Sequence, residues 1–256
     1  MNMFNFDFGE NSLLRRRFIK ILRGIVGRKN FGYCPICQSK TIFVEYTKWL
    51  RDKYQCIKCH SIPRQRALVN TLNLFYSNWK ELSVHESSPS NSRFFIKECQ
   101  NYTFSYFFGN VSLGTYKDGV RCEDLSNMTF DDSSFDLLIT QDVFEHVLFP
   151  LKAFKEINRI LRPGGAHVFT VPFYRNLEKS KARVRWVNGE ICFLETPIYH
   201  GNPIDKNGSL VTYDWGLDFT DIIFKESNMI TTIYIEKDRR KGLDGELLEV
   251  FISRKM

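Results

Sequence analysis

No apolar run in this 256-residue chain approaches the roughly 18–20 residues that a helical membrane span requires, so an integral helical membrane protein is excluded. Internal repeats and low-complexity tracts are absent as well, which sets aside the repeat architectures. No secretory signal is read at the start, and Cys99, Cys122 and Cys192 are scattered, so a reducing, cytoplasmic setting is expected rather than a disulfide scaffold. Acidic residues are scarce in one place. Residues 1–66 hold 14 Lys/Arg against 4 Asp/Glu, a net +10, whereas the remainder carries −3 of the total +7. Any affinity for anions therefore belongs to the N-terminal quarter. Apolar material is plentiful: 43% hydrophobic residues and 23 phenylalanines suffice for one full-sized core plus a small module.

The remaining four cysteines form two knuckles, Cys34-Pro-Ile-Cys37 and Cys56-Ile-Lys-Cys59, with 18 residues between Cys37 and Cys56. This is the spacing of a four-cysteine zinc module. Two thiolates separated by two residues reach one ion from a tight turn, and two such turns complete a tetrahedron. Four protein ligands leave no open position, so a structural Zn2+ is expected on Cys34, Cys37, Cys56 and Cys59, with His60 a solvated neighbour.

Ahead of the knuckles, Leu13 to Gly27 reads as a basic helix, with Leu14, Phe18, Ile21, Leu22 and Ile25 on one side and Arg15, Arg16, Lys20 and Arg23 toward the other. Peripheral contact with an anionic membrane through residues 13–27, RNA binding through residues 1–66 and packing on the protein itself all remain open. After the knuckles, Pro63-Arg-Gln-Arg-Ala-Leu opens a helix with proline in its first turn. Leu68, Leu72 and Phe75 are expected to dock on a sheet, while Arg64 and Arg66 face either a ligand cleft or solvent, with solvent the first expectation.

The most informative stretch lies further on. An apolar run, Leu137-Leu138-Ile139, ends in polar Thr140, Gln141 and Asp142, as a strand buried on both faces delivers groups to the open edge of a parallel sheet. Leu151, Phe154, Ile157, Ile160 and Leu161 then recur at near-helical spacing. Pro163-Gly164-Gly165 stops that helix, and the buried run Val168-Phe-Thr-Val171 follows. Strand, helix, glycine turn and strand make a right-handed βαβ unit.

Phe135-Asp136-Leu137-Leu138 followed by Leu161-Arg162-Pro163-Gly164-Gly165 resembles the second half of a class I S-adenosylmethionine-dependent methyltransferase of the type 11-like kind. The resemblance covers roughly residues 80–256. It implies an α/β fold, a Rossmann-like, seven-stranded, mostly parallel sheet with flanking helices, here preceded by the small zinc-ribbon-like module. The organisation expected is a basic extension (1–30), the module (31–62), a connecting helix (63–79) and the methyltransferase domain (80–256) with an insertion at 173–214.

The resemblance further implies where S-adenosylmethionine would bind. The loop after the first strand, His85-Glu86-Ser87-Ser88, would cradle its amino-acid end, although this loop has no glycine where the family is glycine-rich. The family's acid at the end of the second strand is also missing, leaving Ser105 or Tyr106 near the ribose. Asp124 and Leu125 would contact the adenine, and Gln141 and Asp142 the methionine portion. His146 is the first candidate for a general base, its ordinary pKa suiting that role near neutrality, with a pocket-shaping role equally open; Glu145 reads as a structural acceptor. The insertion is too long for a plain connection and adds His200 and Asp214 as further catalytic candidates. The expected activity is O-methylation of a small molecule or glycan precursor. The alternatives are an RNA methyltransferase that binds RNA through its basic module, and a non-catalytic scaffold with a degenerate cofactor loop.

Overall fold

The computed structural model describes residues 27–89, 92–202 and 204–256. Apart from Gly27, the basic helix expected at Leu13–Gly27 lies outside them. The described chain opens with β1 (Lys29–Cys34) and β2 (Ser39–Glu45), an antiparallel hairpin whose turn carries the first knuckle. A single helical turn, α1 (Leu50–Lys53), leads into β3 (Tyr54–Cys56), which pairs with β2 and brings in the second knuckle. Helix α2 (Pro63–Phe75) starts with proline at its first position, and the Gln65 side chain accepts the Ile62 N–H at 3.1 Å. Leu68 and Leu72 are buried as expected. Phe75 is not: it is 41% exposed and meets Tyr234 edge-on.

The large sheet is assembled from β4 (Ser83–Ser87), β5 (Asn101–Tyr106), β6 (Tyr116–Lys117), β7 (Val120–Cys122), β8 (Phe135–Gln141), β9 (Leu161–Thr170), β16 (Ile230–Tyr234) and β17 (Val250–Arg254). Their spatial order is β16-β17-β9-β8-β4-β5-β7-β6. The strands from β9 to β7 run parallel, and β17 lies antiparallel between β9 and β16. The eighth strand, β6, is a two-residue antiparallel partner added to the expected seven. Helix α3 (Ser92–Glu98) follows β4, α4 (Pro150–Ile160) links β8 to β9, and α5 (Phe219–Ser227) precedes β16. The segment between β9 and α5 folds as three two-stranded ribbons: β10 (Lys181–Ala182) with β15 (Tyr213–Asp214), β11 (Val184–Val187) with β12 (Glu190–Phe193), and β13 (Tyr199–His200) with β14 (Ser209–Leu210).

Alternation along β8 divides the core. Leu137 and Ile139 join Leu68, Leu72, Trp79 and Val84 on one face, whereas Phe135 and Leu138 join the α4 and α5 side chains on the other. Phe154, Ile157 and Ile160 of α4 are fully buried there, each contributing roughly 1.5–3 kcal/mol. The helix stops at Ile160 and the chain enters β9 directly, so Arg162-Pro163-Gly164-Gly165 lies at the start of that strand. A Cβ on Gly165 would stand 2.8 Å from the Asp136 carbonyl oxygen, which only glycine avoids. Asp136 also ties the two motif halves together. Its Oδ2 accepts the Ser83 N–H at 2.8 Å and an Arg162 guanidinium N–H at 2.9 Å.

The zinc-ribbon-like strands do not stand apart. Cys34, Ile36, Phe43, Tyr54 and Cys56 belong to the same buried cluster as α2, Trp79 and Leu243. Arg66 is the pin: completely buried, it donates to the carbonyls of Ser61, Tyr54 and Gly242 and stacks its guanidinium over Phe43. The solvent position expected for Arg66 is therefore corrected. Burial lowers its pKa to about 10, while thiolates at Cys34 and Cys56 favour its charge.

Candidate active site

The strand order reverses between β4 and β8, and ligands of open parallel sheets bind in the crevice at that point. The carboxyl ends of both strands are polar here. Glu86 accepts from Tyr102 Oη at 2.7 Å and from Gln141 Nε2 at 2.8 Å. The Gln141 carbonyl oxygen is buried and without a hydrogen-bond partner among the described residues. Just past the strands, Ser88 and Asp142 adopt left-handed backbone conformations, φ 53° each. Strain of this kind concentrates at functional sites, and Ser88 replaces by strain the glycine that the loop lacks. A cleft of about 1810 Å³ opens at this edge. Sites for one small ligand run to roughly 300–1000 Å³, so a cofactor and an acceptor fit together.

Of the residues read as cofactor contacts, Ser87, Tyr106, Asp124, Leu125, Gln141 and Asp142 line this cleft. Tyr106 Oη donates to the Pro89 carbonyl at 2.9 Å. Asp124 caps its own turn, one oxygen accepting from the Ser126 N–H and hydroxyl at 2.8 and 2.7 Å. His85 and Glu86 do not reach the wall. β4 runs to Ser87, through residues expected in the loop, so His85 is enclosed by Phe130 and Phe135 and bonded to the Thr103 and Ser105 hydroxyls. Burial, and then the charge of Arg121, drop its pKa to about 3. Glu86 supports the cleft from behind through Gln141.

Asp142 is where the two halves of the chain meet. Arg51 places Nη1 and Nη2 on its two carboxylate oxygens at 2.6 and 2.9 Å, Arg64 Nη1 adds 2.8 Å, and the Thr170 hydroxyl donates at 2.9 Å. Burial opposes ionisation of Asp142, but the two guanidiniums outweigh it and hold the carboxyl well below the usual range. Arg64 thus faces the cleft, not solvent, and Arg51 is a contributor that the sequence did not single out.

The acceptor end lies one turn further. His146 Nδ1 is 2.9 Å from the Leu210 carbonyl oxygen, an acceptor only, so Nδ1 carries the proton and Nε2 the lone pair. Burial lowers the His146 pKa. His200, on β13, approaches with its ring centroid 5.0 Å from that of His146. Thr212 fastens the insertion to this segment, its hydroxyl donating to the Val147 carbonyl at 2.8 Å. Glu145 is buried, yet both its carboxylate oxygens lack a hydrogen-bond partner among the described residues; it is no structural acceptor. Burial, and then the charge of Asp142, push its pKa well up. Asp214 is drawn away: it pairs with Arg183 at 2.7 Å and is not part of the cleft wall.

The four knuckle sulfurs lie within 4.8 Å of one another, with Cys34–Cys59 at 3.7 Å and Cys37–Cys56 at 3.9 Å. Tetrahedral Zn–S bonds of about 2.3 Å place sulfurs roughly 3.8 Å apart, so the residues fit zinc. Hydroxyls of Ser39, Thr41 and Ser61 lie 3.2–3.5 Å from the sulfurs of Cys37, Cys56 and Cys34, placed to donate to thiolates. His60 is exposed and outside the cluster.

Part of the chain is similar to known methyltransferases. Residues 109–169 match the family model for a methyltransferase domain. The match makes this segment, about a quarter of the chain, similar to methyltransferase domains. An uncharacterised 37.1 kDa protein in a transposon of Streptomyces fradiae is 35% identical over 79 residues, 28% of this chain and 23% of that protein, so the match spans about a quarter of the relative. Among solved structures, an S-adenosylmethionine-dependent methyltransferase from Mesorhizobium loti is 15% identical, covering 74% of this chain and 98% of that one with a TM-score of 0.47. The 1,6-didemethyltoxoflavin-N1-methyltransferase of Burkholderia thailandensis, bound to 1,6-didemethyltoxoflavin and S-adenosylhomocysteine, is 11% identical over 75% and 78% of the chains, TM-score 0.43.

Proposed function

We propose that the protein methylates an oxygen of a small molecule or glycan precursor in the cytoplasm, using S-adenosylmethionine, with zinc held by Cys34, Cys37, Cys56 and Cys59. One observation carries this reading: a single cleft has a cofactor-like end and an acceptor-like end. At the first, the unpartnered Gln141 carbonyl oxygen suits an ammonium group, and Asp124 and Leu125 suit an adenine. At the second, His146 presents Nε2 with its lone pair. S-adenosylmethionine supplies a methyl group on a sulfonium that leaves neutral, so the chain must align two reactants and take up one proton. His146, neutral at pH 7 because of burial, is suited to take it. His200 is the second candidate, and Asp214, neutralised by Arg183, is left with none of this role.

The RNA reading is less favoured. Arg51, Arg64 and Arg66, three of the basic residues that made the N-terminal quarter attractive to phosphate, are committed to Asp142 and to the core. No helix among the described residues is long and apolar enough to cross a membrane, and the peripheral membrane contact considered for residues 13–27 falls outside them but for Gly27. Calorimetry with S-adenosylmethionine tests the main reading. Binding is expected, and its absence at millimolar cofactor leaves a scaffold. RNA retention that weakens steeply with salt would instead favour the RNA enzyme.

A further inference from the structure

We infer that Glu145, His146 and His200 form a second metal site, for a first-row divalent transition ion, at the acceptor end of the cleft. Their ligand atoms lie within 4.8 Å of one another. His146 Nε2 is 3.7 Å and His200 Nδ1 4.0 Å from the same Glu145 Oε1. Bonds of about 2.0–2.2 Å to nitrogen and oxygen put neighbouring ligands roughly 3.0–3.6 Å apart, so small side-chain rotations close the triad.

Two independent features point to a cation. The Glu145 side chain is 3% exposed, and neither oxygen finds a hydrogen bond among the described residues. Buried carboxylates are paired or bind metals, and the nearby cations are spoken for: Arg51 and Arg64 hold Asp142. His146 gives its Nδ1–H to the Leu210 carbonyl, the outer bond by which ligating histidines fix their tautomer. The lone pair of Nε2 is thereby left 3.7 Å from the Glu145 oxygen, too far for a hydrogen bond between them. Two imidazoles and one carboxylate favour zinc, iron, cobalt or nickel over magnesium or calcium.

With the ion bound, His146 Nε2 is a ligand and not the base; three protein ligands leave open positions toward the cleft, where the ion would acidify a hydroxyl of an acceptor offering two adjacent oxygens, such as a vicinal diol or a hydroxy acid. That substrate class rests on the methyl-transfer reading; the metal site does not. The test uses Co2+ on the full chain after removal of bound metal, because thiolate-bound and imidazole-bound cobalt differ optically. Two ions per chain are expected: one with a thiolate charge-transfer band, lost in Cys59→Ser, and one without it. Glu145→Gln and His200→Ala should each weaken the second ion at least about tenfold while the thiolate band persists. Neither change threatens folding, since Glu145→Gln keeps the size and shape of the side chain and His200 is 44% exposed. Titration of thiolate-type cobalt alone, or a second ion indifferent to both variants, overturns the inference whatever the outcome of cofactor calorimetry.

Discussion

Arg51 of the cysteine-bearing module lays both terminal nitrogens on the carboxylate of Asp142, a residue 91 positions later at the tip of β8. The side chain of Arg51 is 4% exposed and that of Asp142 14%, so the contact is internal. The module thus supplies part of the floor of the cleft, and Arg64 from α2 closes the same carboxylate from a second side.

Asp142→Ala strands two guanidiniums, one of them buried. Removing one partner of a buried ion pair typically costs about 3–5 kcal/mol, so chemical denaturation at pH 7 should show a loss of that order. Asp142→Asn, which keeps the hydrogen-bonding shape, should lose less. An unchanged midpoint for Asp142→Ala would mean that the pair contributes nothing to the fold.

Metal removal should reach further than the knuckles. Because Cys34 and Cys56 share a core with Leu68, Trp79 and Val84, and α1 lies between β2 and β3, losing the ion loosens the segment that carries Arg51. Chelation or Cys59→Ser should release about one zinc per chain, lower the melting temperature and weaken S-adenosylmethionine binding together. Intact cofactor affinity in a zinc-free protein would show the two to be independent.

Acid sensitivity follows from His85, whose pKa falls to about 3 in the fold against about 6.5 unfolded. As pH drops below 6.5 the unfolded chain takes up this proton and the native chain does not, so stability falls until about pH 3. Between pH 6.5 and 4.5 the loss from this group is about 2–3 kcal/mol. Glu145, with its pKa raised, works the other way in part of that window. The difference between wild type and His85→Gln is therefore the quantity to measure: the variant, weaker at pH 7, should show the shallower decline. Parallel urea-denaturation curves at the two pH values would rule His85 out.

His146→Ala should cut turnover by the roughly 10²–10⁴ expected for a general base, leaving cofactor affinity within a few-fold. Collapse of affinity along with rate would make it a pocket residue and leave His200 as the base. If neither histidine matters, the acceptor is a nucleophile that needs no base, and the oxygen assignment falls.

The parts of the fold legible in the sequence are those with local signatures. β8, with its apolar run and polar tip, and α4, with its spacing, were both readable, as was the Asp136–Arg162 motif pair that the structure joins at 2.9 Å. The cysteine spacing told of four thiols that do converge. What stayed hidden depends on contacts between distant segments. Nothing in Leu50-Arg51-Asp52 announces a partner at Asp142, and nothing in Pro63-Arg64-Gln65-Arg66 separates the cleft arginine from the buried one. His85 differs for a smaller reason: β4 continues through it to Ser87, so a residue read as loop is an inward-facing strand residue.

Gly32 packs so closely on the turn at residues 239–241 that a Cβ there would stand 2.0 Å from the Arg240 carbonyl oxygen. Nearby, Asn30 bonds to the Arg239 carbonyl, Arg51 to that of Leu247 and Arg66 to that of Gly242, across 176–209 residues of sequence. The consequence is one of timing during synthesis. The cysteine knuckles emerge early, but Gly242, one of the three residues whose carbonyls hold Arg66 inside, arrives only with the last hairpin. Such long-range closure makes for slow folding. A nascent chain that stops short of residue 239 lacks the Arg239 and Gly242 carbonyls to which Asn30 and Arg66 bond.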